Sequence, residues 1–133
     1  MVALLATDPD RPARAWVALG SPCVSVYVPV PVPAASSASS SPPLPAAVGD
    51  ARVWTRFAAL RDAVGSDAGA LTTVRAELSV LEDALWDEAD GLGTDPGEWE
   101  RFGARSTVAV ARALDTLAAA GLGAADGASE GGR

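Results

Sequence analysis

Apolar and polar positions alternate between two regimes along the chain. Residues 2–6, Val-Ala-Leu-Leu-Ala, and 15–19, Ala-Trp-Val-Ala-Leu, are unbroken apolar runs separated by TDPDRPAR, whose Asp and Pro residues are turn formers. The pattern predicts a β-hairpin with a long loop. Neither strand alternates, so each is expected to lie in a sheet covered on both faces. After the Gly20–Cys23 turn, Val24–Val28 is β-branched and predicts a short third strand. Pro29, Pro31 and Pro33 are expected to end its pairing, because proline has no N–H to donate.

From residue 50 the period becomes helical. Asp50 caps a first helix that begins at Ala51 and closes at Gly65, with Val53, Trp54, Phe57, Leu60 and Val64 on one face. A second helix begins near Ser66 or Asp67 and stops at Gly91. Its stripe of Leu71, Val74, Leu78, Leu81 and Leu85 is the clearest periodic signal in the chain. A third begins at Thr94 or Asp95, with Pro96 in its first turn. It carries Trp99, Phe102, Val110, Leu114 and Leu117 and ends at Gly121. Strands followed by helices make an α+β pattern. The expected organisation is a hairpin and third strand over 1–33, a flexible Ala/Ser/Pro loop over 34–49, a three-helix segment over 50–121 and a disordered tail over 122–133. A lone hairpin is marginal in water. Three helices cover one face, so the other face and the neighbouring strands are expected to come from outside this sequence.

Composition narrows the function. The 133 residues carry 10 basic side chains, all Arg, against 17 acidic ones, for a net charge of −7. Such a balance argues against a nucleic-acid or anionic-membrane partner. The absence of His removes imidazole bases and the commonest zinc ligand, and a single Cys excludes an internal disulfide and multi-Cys metal sites. MVALLATDPD has no basic region or cleavage pattern of a signal peptide, and no apolar run approaches the roughly 20 residues of a membrane span, so a cytoplasmic location is expected.

Candidate chemistry is sparse. Cys23 precedes a strand without a His or helix N-terminus to activate it and reads as a small, semi-buried turn residue. Glu82, Asp83, Asp87, Glu88 and Asp90 form an acidic cluster. Asp83 and Asp87, one turn apart, have the spacing of metal ligands or an acid/base couple, but the ordinary reading is a solvated helix face. Glu98 and Glu100 suit a helix N-terminus. Trp16, Trp54, Trp86 and Trp99 are more often core or interface anchors than pocket walls. Gly20-Ser21-Pro22-Cys23 is not a nucleophile elbow, and no Gly-x-Gly-x-x-Gly or Walker loop occurs. No residue is assigned a catalytic, cofactor-binding or metal-binding role.

One stretch carries a resemblance. Ala15-Trp16-Val17-Ala18-Leu19-Gly20-Ser21-Pro22-Cys23-Val24-Ser25-Val26-Tyr27-Val28-Pro29 resembles a segment in the C-terminal half of the secernin family, in which a Trp-containing strand runs into Gly-x-Pro-Cys and an aromatic-then-Pro ending. Trp54, Arg56, Phe57 and Leu60 look like the family's next helix, and Leu81–Trp86 resembles part of the one after. The resemblance implies an N-terminal-nucleophile hydrolase with a four-layer αββα sandwich. The resemblance further implies a nucleophilic cysteine at or near the mature N-terminus, where the free α-amino group can serve as base, and, for the dipeptidase branch, short peptide substrates cleaved at an amide bond. Nothing here corresponds to the family's N-terminal half, Met1 falls at an internal strand of the family, and Cys23 matches no nucleophile position. The implied function is that of a C-terminal fragment of a secernin-like dipeptidase, inactive alone and partnered by the missing half or another chain covering the sheet. The alternative is a small acidic interaction protein that packs a partner against the Leu71–Leu85 stripe. An independent metal enzyme using Asp83 and Asp87 is disfavoured by the lack of His.

Overall fold

A computed structural model describes the backbone of residues 2–4 and, with side chains, residues 12–32 and 44–123. Strands β1 (Val2–Leu4), β2 (Ala13–Ala18) and β3 (Tyr27–Val32) form an antiparallel sheet in the order β1-β2-β3. They are followed by the helical turn α1 (Ala46–Gly49) and helices α2 (Ala51–Val64), α3 (Ala68–Asp90) and α4 (Pro96–Ala119). The α+β order expected from the pattern is the order observed. Residues 5 and 6 of the first apolar run, most of its loop, residues 33–43 (Pro33 among them) and residues 124–133 lie outside the described residues.

The third strand differs from the expected 24–28. Pro22–Val24 is a 3-10 turn closed by Val24 N–H to the Ser21 carbonyl at 3.0 Å, and β3 runs through Pro29 and Pro31. Register explains how the prolines are tolerated. Leu19 donates to the Val26 carbonyl at 3.4 Å, and Ala18 pairs with Tyr27. Hydrogen-bonded pairs therefore alternate as Val17–Val28 and Ala15–Val30, while Tyr27, Pro29 and Pro31 fall between them. The nitrogens of Pro29 and Pro31 face away from β2, so no ladder bond is lost.

Each long helix starts on an Asp. Asp50 accepts from Arg52 N–H at 2.8 Å, Asp67 from Gly69 and Ala70, and Asp95 from Gly97. Gly65 closes α2 at φ +50°, a conformation that side chains with a Cβ rarely adopt. Phe57, Leu60, Val74, Leu78, Leu85, Trp99, Phe102, Val110, Leu114 and Leu117 converge in one core with Leu19, Val24, Val26 and Val28. Leu71 and Leu81 pack at its margin.

Three expectations are corrected. Trp54 lies outside the core at 41% exposure, its indole N–H donating to the Val48 carbonyl. The end of the expected flexible loop is ordered: Ala47 is fully buried and its N–H reaches Thr107 Oγ1 at 3.2 Å, while Pro45 packs on Gly103, where a Cβ would stand 3.3 Å from Pro45 Cα. At the start of the expected tail, Leu122 packs on the core and its N–H caps α4 at the Leu117 carbonyl. In the sheet, Arg14 and Ala15 are consecutive and buried, as are Val28, Pro29 and Val30. Consecutive strand residues point to opposite faces, so these positions are buried on both, while Trp16, Val17 and Ala18 are partly exposed.

Candidate functional site

The Trp16–Pro29 stretch is where sheet, turn and helices meet. Gly20 lies against α2: a Cβ there would sit 2.8 Å from Phe57 Cβ, closer than packed atoms allow. Pro22 opens the 3-10 turn with a fixed φ, and Val24 and Ser25 are buried behind it. Gly-Ser-Pro-Cys is thus a docking turn, and its Gly is explained by the close approach of α2 rather than by catalysis.

Helix α3 runs along the outer edge of the same stretch. Arg75 Nη1 donates to the Ser25 carbonyl at 2.8 Å. Glu82 Oε2 accepts the Tyr27 N–H at 2.8 Å, and Trp86 Nε1 donates to the Tyr27 carbonyl at 3.1 Å. Farther along α3, the ring of Trp86 meets that of Trp16, and Asp90 binds Arg14 at 2.5 Å. Arg14 is only 4% exposed, so its guanidinium depends on such partners.

These contacts divide the acidic cluster. Glu82 and Asp90 hold the sheet to α3, and Glu88 pairs with Arg105 of α4. Asp83 and Asp87 remain on the exposed face. The solvated-face reading therefore holds without qualification for those two residues, whereas Asp90, 70% exposed at its side chain, also reaches Arg14. Among the described residues no group of three or more Cys, Asp or Glu is placed to hold a metal ion. Glu98 turns back to the Gly93 N–H in front of α4, and Glu100 is exposed.

Cys23 is exposed rather than semi-buried. It sits in the 3-10 turn, two residues from Ser21, which lines an open groove of about 330 Å³ with Gly20, Trp54, Ala58 and Arg61. Arg61 already gives two N–H groups to Asp62 at 2.9 and 2.7 Å. This groove was not legible in the sequence, because it forms only where the turn lies against α2. Of the remaining tryptophans, Trp99 is buried edge-on against Phe102 and donates to the Gly93 carbonyl. The tryptophans do not line a common pocket: Trp16 and Trp86 pair at the sheet, while Trp54 and Trp99 lie elsewhere.

The leucine stripe of α3 is occupied within the chain. Val74, Leu78 and Leu85 are 0–4% exposed in the core shared with α2 and α4. No helix among the described residues is long and apolar enough to cross a membrane. No family model, curated protein or solved structure matches this chain.

Proposed function

We propose that this chain is a C-terminal portion of a secernin-like amide hydrolase, supplying sheet and helical scaffold while the nucleophile lies on sequence outside these residues. The observation that carries the reading is the asymmetry of the sheet. The outer side of β3 is engaged by α3 at Tyr27, whereas nothing among the described residues pairs with the outer side of β1. An unpaired edge beside a packed core is where a sheet continues or accepts another strand. The Trp16–Pro29 run, on which the family resemblance rests, is taken up by structural contacts and offers no activated nucleophile. In such an enzyme the substrate would be a short peptide cleaved at an amide bond.

The test is to capture the native polypeptide carrying this sequence with an antibody, weigh it intact, and assay it on dipeptides. The expected result is a species several-fold heavier than 13.4 kDa that hydrolyses dipeptides, with no hydrolysis by the 133-residue chain. A native species at 13.4 kDa, or cleavage by the short chain, overturns the reading.

A further inference from the structure

The outward-facing positions of β3 are Tyr27, Pro29 and Pro31. In an antiparallel sheet a new strand would pair with the N–H and C=O groups at these alternate positions. Pro29 and Pro31 have no N–H. The third donor, on Tyr27, is taken by Glu82 at 2.8 Å, and the Tyr27 carbonyl is taken by Trp86 at 3.1 Å. One residue before β3 extends to Tyr27, Val26 pairs inward with Leu19; one further back, the outward Ser25 carbonyl is held by Arg75.

We infer that α3 and the two prolines form an edge guard: every outward donor of β3 is either deleted or capped, which closes this strand to edge-to-edge pairing with a second copy of the chain. An approaching strand finds only the carbonyls of Pro29 and Pro31 and receives no hydrogen bond in return. Unguarded edges of this kind are templates for association, and natural sheets block them with proline, charge or a covering element. Here proline and a covering helix divide one strand between them. The inference concerns the β3 side alone and is independent of what lies beyond β1.

The double variant Glu82→Met, Pro31→Thr frees one donor and restores another. Glu82→Met keeps side-chain bulk, and Pro31 is only half-buried. Mass is measured by light scattering over a concentration series, with the parent chain as baseline. The variant is expected to gain a concentration-dependent species of at least twice the parent mass, and adding Tyr27→Pro, which deletes the donor at 27, to weaken that association. Unchanged mass at every concentration with the parent's helical circular dichroism overturns the inference, as does association that Tyr27→Pro leaves equally strong. If the double variant loses its helical signal, Pro31→Thr alone, which leaves the α3 contacts intact, is expected to associate more than the parent, and parent-like mass overturns the inference.

Discussion

Trp16 on β2 and Trp86 on α3 meet with ring centroids 5.6 Å apart and planes tilted by 60°. The pair joins positions 70 residues apart in sequence, and Trp86 uses its indole N–H at the same time to hold the Tyr27 carbonyl. Ring contact and hydrogen bond together fix how α3 lies on the sheet, and Glu82 and Asp90, each one turn from Trp86, extend the same seam.

Gly20→Ala is expected to destabilise the fold by about 1–3 kcal/mol, because the added methyl meets Phe57 Cβ at 2.8 Å and both groups are held by backbone. Chemical denaturation checks this. A change within about 0.5 kcal/mol, the range of ordinary surface substitutions, would show that the turn does not dock on α2 as described.

The acidic residues of α3 are expected to separate into two classes. Asp90→Ala should cost about 1–3 kcal/mol, because it removes a charged partner from the buried Arg14 guanidinium. Asp87→Ala should stay within about 0.5 kcal/mol. Urea midpoints of the two variants, measured side by side, decide the matter, and equal midpoints would contradict the seam.

Leu78 and Val80 lie two residues apart on α3 and face opposite ways, one fully buried and the other 72% exposed. Leu78→Ala is expected to cost about 2–5 kcal/mol through lost contacts and the cavity left behind. Val80→Ala should change stability by no more than about 0.5 kcal/mol. Thermal melts of the isolated chain provide the comparison. A Leu78→Ala chain as stable as its parent would mean that the stripe is not packed internally and is free for a partner.

Cys23 is an exposed free thiol in a turn. A thiol reagent is expected to modify it stoichiometrically in the folded chain, and Cys23→Ser should leave stability within about 0.5 kcal/mol of the parent. Reaction only after addition of denaturant would place the thiol in the interior instead.

Much of the fold was legible because its signals are local. An Asp side chain reaches N–H groups two or three residues ahead, so Asp50 marked one helix start and the pairs Ser66/Asp67 and Thr94/Asp95 bracketed the other two, which the structure places on Asp67 and Asp95, and the 3.6-residue period placed Val74, Leu78 and Leu85 inward. Pairing register is not local. Pro29 and Pro31 read as strand terminators, because whether a missing N–H matters depends on which side of the strand faces β2, and that follows from pairing with residues 14 and 16. For the same reason Trp54, spaced like a core residue, lies outside the core, and Pro45 and Ala47, in a stretch poor in apolar surface, are buried where α4 offers Gly103 and Thr107.

By itself, the sequence determined the α+β order, the helix limits, most of the helical core and the lack of imidazole chemistry, since these depend on side-chain type and on neighbours within a turn or two. Only the tertiary structure decided which carboxylates are structural, why Gly20 must lack a side chain, and how β3 is closed on its outer side. Each of those turns on an approach between groups far apart in the chain, such as Glu82 to Tyr27 or Gly20 to Phe57, and distance along a sequence does not encode distance in space.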